Sequence, residues 1–150
     1  MKKNILAFFL LMVIGIGKSF AVLPDDLSNL VKHLEFLGYD ISMDGEGMKA
    51  AHPSELNIYI QKYHGGILIT ASFTESKYGK NNRGEFLALI NKLNERATIG
   101  RYYIDTKGGR LCIEAYYPGN YNKQTFGVFL DVFNSDRSHL GEVGIGKYIE

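Results

Sequence analysis

Apolar and polar positions along the chain alternate between two periods, one helical and one extended. Leu27, Leu30, Val31, Leu34 and Leu37 recur at helical spacing behind Pro24, Asp25 and Asp26. Gly38 follows, where a helix end favours a left-handed residue. Residues 39–43 alternate apolar and polar, as a strand with one buried face does. Gly45 and Gly47 mark a turn, and residues 48–52 read as a weak continuation that Pro53 closes. Residues 56–61 and 67–73 predict two strands, with Gly65 and Gly66 between them as the hairpin turn. The polar run 74–81 predicts a loop.

A central helix over 82–96 comes next, with Phe86, Leu87, Leu89, Ile90 and Leu93 at helical spacing and Asn82 and Glu85 as a capping-box pair. Residues 100–105 and 110–117 predict a second hairpin about Lys107, Gly108 and Gly109. Pro118 and Gly119 break the chain before a last helix near Asn122. Tyr121 can pack on Phe126 there as a hydrophobic staple, while Phe126, Phe129, Leu130 and Phe133 form the core stripe. Gly141, Gly144 and Gly146 make the end glycine-rich, which predicts a loose tail or a short extra strand from about residue 141.

The predicted order is α-β-β-β-α-β-β-α. Short hairpins make the five-stranded sheet antiparallel, and the helices must pack on one of its faces, an α+β sandwich. From Phe86 to Ile90 the central helix is apolar almost all the way round. Such a helix is covered on more than one side, by the sheet and by a third helix or a second copy of the chain. Phe86, Leu87, Leu89, Ile90 and Leu93 are therefore the candidates for helix packing or dimer contact.

The first 21 residues carry a different signal. Lys2 and Lys3 precede a short apolar run over 5–17, and Lys18 then leads to Ser19, Phe20 and Ala21. That is the three-part pattern of a secretory signal peptide with cleavage after Ala21. The run falls short of the about 20 apolar residues of a membrane-spanning helix. Residues 22–150 then form a single domain, exported to the periplasm or secreted, with no membrane span once the leader is removed. Losing Lys2, Lys3 and Lys18 leaves 14 basic against 16 acidic residues, a net charge of about −2. A nucleic-acid partner would need a basic stripe, which this balance argues against. Cys112 is the sole cysteine, which excludes an internal disulfide. Its place between Leu111 and Ile113 reads as a small buried hydrophobe.

Reactive groupings are sparse. His33, His52, His64 and His139 stand far apart, at no metal-ligand spacing, and no GxSxG elbow accompanies the serines. Asp40, Asp44 and Glu46 flank glycines without the spacing of an EF-hand loop. Residues 141–146 superficially match a dinucleotide fingerprint, but they lack its strand-then-helix context. No catalytic residue, cofactor or metal is therefore expected. The tyrosines carry more. If Ile58, Ile60, Ile67, Ile69, Leu111 and Ile113 face the helices, then Tyr59, Leu68, Tyr103 and Tyr116 lie on the opposite sheet face. That mixture suits a partner protein or peptide, and equally a solvated strand surface with cross-strand aromatic packing.

The run from Ile90 through Asn91 and Asn94 to Arg96, the strand 100–105, the double-glycine turn and residues 114–119 resemble the YbjN-domain family. Leu37, Gly38 and Tyr39 at the end of the leucine-rich first helix are a second anchor, and the likeness runs from roughly residue 25 to 140. This family is described as candidate bacterial sensory-transduction regulators. The resemblance implies a fold similar to type III secretion chaperones, often dimeric, without an assigned enzymatic activity. Asn91 and Asn94 fall within its motif. On a helix they share a face, where they can present paired amides to a peptide or satisfy backbone groups at the helix end and in a neighbouring strand.

The expectation is an exported, non-enzymatic protein-binding module, homodimeric, in a chaperone-like or regulatory role. The alternatives are a small hydrolase whose site assembles only in three dimensions, and a secreted interaction or inhibitor factor.

Overall fold

The computed structural model describes residues 25–105 and 107–150, so the predicted leader lies outside the described residues. Helix α1 (Asp25–Phe36) buries Leu27, Leu30 and Leu34 and ends at Gly38, whose φ of 93° makes the expected left-handed exit. Four strands follow as two hairpins: β1 (Asp40–Asp44), β2 (Gly47–Ala51), β3 (Ile58–Tyr63) and β4 (Gly66–Thr74). A short helix α2 (Lys77–Asn81) leads into α3 (Arg83–Arg96). Strands β5 (Arg101–Asp105) and β6 (Arg110–Tyr117) come next, then the long helix α4 (Lys123–Glu142) and a 3-10 turn over Ile145–Tyr148.

The sheet has six strands in the order β1-β2-β3-β4-β6-β5, every neighbouring pair antiparallel. This corrects the expected count of five. The weak continuation after Gly45 is a full strand that pairs with both β1 and β3. Its sequence, Gly-Met-Lys-Ala-Ala, lacks the branched and aromatic residues that announce a strand, yet Met48 and Ala50 are almost wholly buried by their neighbours. The turn between β3 and β4 is also displaced by one residue. His64 and Gly65 hold positive φ angles of 46° and 78°, and Gly66 belongs to the strand.

One face of the sheet carries Ile58, Ile60, Ile67, Ile69, Ala71, Tyr102, Leu111, Ile113, Ala115 and Tyr117. All are buried in one core with Phe86 and Leu93 of α3 and Phe126, Leu130 and Phe133 of α4. The helices thus cover this face, as the alternation of the strands requires.

Three local expectations differ. The loop expected over 74–81 contains α2, capped by Ser76, whose Oγ accepts from Gly79 N and donates to Lys147 O. Asn82 joins two helices, so its side chain donates back to Tyr78 O instead of capping α3, and Glu85 accepts from the Tyr148 hydroxyl. Helix α4 runs through Gly141, and the residues after it are packed, not loose. The Tyr148 ring stacks on Phe86 at 5.1 Å, and Glu150 N donates to Thr74 O. The staple at the start of α4 forms as expected. Asn122 Oδ1 accepts from Gln124 N and Thr125 N, and Tyr121 packs on Phe126 at 5.5 Å.

Candidate functional site

The uncovered sheet face brings the four expected residues together. Cross-strand register sets out three rows: Tyr59, Thr70, Glu114 and Arg101; Gln61, Leu68 and Tyr116; Ser72, Cys112 and Tyr103. Tyr59, Leu68 and Tyr103 are half-buried, while Tyr116 is 42% exposed. Beside Tyr59 the face is hollowed into a depression of about 260 Å³, bordered by Lys49, Ala51, Thr70 and Ser72.

Two of these tyrosines also hold the sheet together. Tyr59 covers Gly47 of the neighbouring strand, where a β-carbon would lie 2.5 Å from its hydroxyl, and that hydroxyl donates to Asp44 O. Tyr116 covers Gly66 in the same way, and its hydroxyl donates to His64 O across the turn. An aromatic ring laid over a cross-strand glycine fills the missing side chain and satisfies a turn carbonyl at once. Tyr103 donates to Glu114 Oε2 at 2.8 Å, and Arg101 sits over its ring while pairing with Glu114. Burial, reinforced by Glu114, pushes the Tyr103 hydroxyl well above its ordinary pKa. Cys112 lies beneath Tyr103 on this outer face rather than in the helix-covered core, and burial raises its thiol pKa, which disfavours the reactive thiolate.

In α3, Phe86, Ile90 and Leu93 are buried, Leu89 packs partly on the core, and Leu87 stands 47% exposed. The apolar arc is therefore wider than the core uses. Asn94 clamps the edge strand β5: its Oδ1 accepts from Tyr102 N at 2.8 Å and its Nδ2 donates to Tyr102 O at 3.0 Å. The side chain thus takes up two backbone groups that would otherwise be open to another strand. Asn91, one turn earlier, is exposed.

One buried, heavily bonded charged residue escaped sequence reasoning. Asp136 of α4 is buried, and its carboxylate accepts from the backbone N–H of Thr98, Ile99 and Gly100 at 2.6–2.8 Å. Its own carbonyl accepts from the Tyr102 hydroxyl. The available signal was its position, three residues after Phe133 and four before Leu140, a charge set into an apolar stripe.

The histidines lie apart and are engaged locally. His52 Nδ1 accepts from Ser54 N and Glu55 N, His139 pairs with Glu142, and His33 Nδ1 bonds the Tyr121 hydroxyl. Asp44 pairs with Lys49. Among the described residues, no three His, Cys, Asp or Glu side chains stand close enough to hold a metal ion.

No family model and no curated protein matches the chain. Solved structures do. YbjN of E. coli, described as a candidate transcription regulator, superposes with a TM-score of 0.66 at 13% identity, covering 83% of this chain and 95% of that one. An uncharacterised protein from Methanothermobacter thermautotrophicus superposes with a TM-score of 0.61 at 12% identity, covering 82% and 99%. At such identities the likeness is one of fold, and the described residues adopt a four-helix, six-stranded antiparallel architecture of YbjN type.

Proposed function

We propose that this protein is an exported, non-enzymatic protein-binding module with a regulatory or chaperone-like role. The observation that carries this reading is the one-sided sheet. Helices cover one face, and the other presents Leu68, Thr70, Tyr103 and Tyr116 on a rigid six-stranded platform with a depression beside Tyr59. Aromatic residues with polar tips on a pre-formed surface suit a peptide or protein partner, since little ordering entropy is lost on binding. Two prominent polar side chains are committed to structural bonds, Asp136 to three amides and Asn94 to a strand edge. The YbjN-type fold, which E. coli uses in a candidate regulator, agrees with this reading.

Dimerisation belongs to the same proposal, through the exposed side of α3 about Leu87. Sedimentation of residues 22–150 tests it, and a strict monomer at micromolar concentration would remove the dimer. The binding face is tested by affinity capture from an envelope extract, comparing wild type with Leu68→Arg and Ser72→Arg. These substitutions mark the face without removing the rings that cover Gly47 and Gly66. A specific partner lost in both variants supports the assignment. Retention of every captured protein by both variants counts against it. Export is tested separately, by the N-terminal residue of the protein recovered from the periplasm.

A further inference from the structure

A second surface, between two helices, is electrostatically unbalanced. A groove of about 540 Å³ runs between α1 and the start of α4, lined by Asn29, Lys32, His33, Phe36, Tyr121 and Lys123, with Asn122 completing it. Among the described residues, no carboxylate lines it. Lys123 is the first residue of a 20-residue helix whose first turn holds no acid, so a cation sits at the positive end of the helix dipole. That placement by itself disfavours folding, and the Lys123 ammonium, laid over the Phe36 ring at 5.4 Å, offsets it. Phe36 itself is 80% exposed, a large apolar side chain held at the groove mouth.

The floor adds a polar side chain. His33 is nine-tenths buried and bonds the Tyr121 hydroxyl through Nδ1 at 2.9 Å, while its Nε2 makes no hydrogen bond to a described residue. Burial and the nearby Lys123 charge hold His33 below its ordinary pKa, and burial raises that of Tyr121. Near neutral pH both groups are therefore uncharged, and where Tyr121 donates to Nδ1 the imidazole carries its own proton on Nε2. The first amides of α4 are already capped by Asn122, so an anion here would be held by side chains and not by the helix end.

We infer that this groove binds an acidic peptide segment, with a carboxylate taken between Lys32 and Lys123 and an adjoining apolar side chain laid on Phe36. A concave site that pairs two lysines with one exposed ring fits a peptide better than a flat anionic surface. Charge complementarity is the physical driving force, and the proposal stands or falls independently of the sheet-face reading.

The test uses residues 22–150 and a synthetic seven-residue peptide of aspartates and glutamates around one phenylalanine, with its asparagine/glutamine isostere as control. Binding is followed by calorimetry and by the His33 ring resonances as a function of pH. The acidic peptide is expected to bind and to raise the His33 pKa. Its affinity should fall at least tenfold in Lys32→Gln/Lys123→Gln and several-fold in Phe36→Ala, all exposed positions whose folding is checked by circular dichroism. Equal binding of the neutral isostere, or undiminished binding by the double variant, would overturn the inference. So would glutarate binding as tightly as the peptide, which would assign the groove to small dicarboxylates. Lysine-dependent binding to phosphatidylglycerol vesicles without peptide binding would assign it to a membrane surface instead, and no binding at millimolar peptide would end it.

Discussion

The hydroxyl of Tyr102 donates to the backbone carbonyl of Asp136 at 2.6 Å, tying the edge strand β5 to the middle of α4. The Asp136 carboxylate grips the turn just before that strand, so one residue fixes both the entry and the course of β5. Charge-assisted bonds to backbone amides are among the stronger ones a fold can make. Replacing Asp136 by alanine is expected to cost roughly 3 kcal/mol, because three donors lose an ionised acceptor. Tyr102→Phe should cost about 1 kcal/mol, the worth of one neutral hydrogen bond. Urea denaturation measures both. Amide exchange at Thr98, Ile99 and Gly100 should accelerate in Asp136→Ala but not in Tyr102→Phe.

Asn94 protects the β5 edge, and its removal has two consequences that can be separated. Asn94→Ala is expected to lower stability by about 1–2 kcal/mol, through two lost hydrogen bonds partly replaced by water. It also frees Tyr102 N–H and C=O for pairing with another chain. Light scattering should then show a concentration-dependent increase in self-association over wild type. Asn94→Ala behaving as wild type in both assays would deny the edge any protective role.

The glycines under the tyrosines cannot be enlarged. A β-carbon at Gly66 would fall against the Tyr117 carbonyl and within 2.6 Å of the Tyr116 hydroxyl. Gly66→Ala should destabilise by about 2 kcal/mol or more, as overpacking does. Adding Tyr116→Ala removes the side-chain clash but leaves the backbone one, so the double variant should stay below Tyr116→Ala alone. Thermal melts of the three proteins give the comparison.

His33 makes stability depend on pH in a definite direction. Its folded pKa lies below the ordinary 6.5, because burial and then Lys123 disfavour the imidazolium. As pH falls below about 6.5 the unfolded chain takes up this proton before the folded one, so stability drops with acidification and recovers above that value. The difference in melting temperature between pH 7.5 and pH 5 should be smaller in His33→Gln than in wild type. The remaining histidines contribute equally to both proteins, so the comparison isolates this side chain.

Helical and extended periods in the sequence announce α1, α3, α4 and the strands β1, β3, β4, β5 and β6, because each carries enough apolar residues at one spacing. Strand β2 is announced only as a weak continuation of β1. Its glycine, lysine and alanines bury little area of their own, and it exists because β1 and β3 flank it. Helix α2 escapes for a similar reason, being five residues without an apolar stripe, held by Ser76 and by the returning chain end. The sheet face of Tyr59, Leu68, Tyr103 and Tyr116 is legible, since alternation alone places those side chains together.

What the sequence by itself determines is therefore local: which segments are amphipathic, at which period, and which residues share a face. Tertiary structure alone decided that Asp136 would meet amides 36–38 residues away. It also decided that Ile145 and Tyr148 would be buried, and that Lys32, Phe36 and Lys123 would line one groove. Burial of a polar or charged group is a property of its neighbours, and those neighbours come from segments whose distance along the chain says nothing of their distance in space.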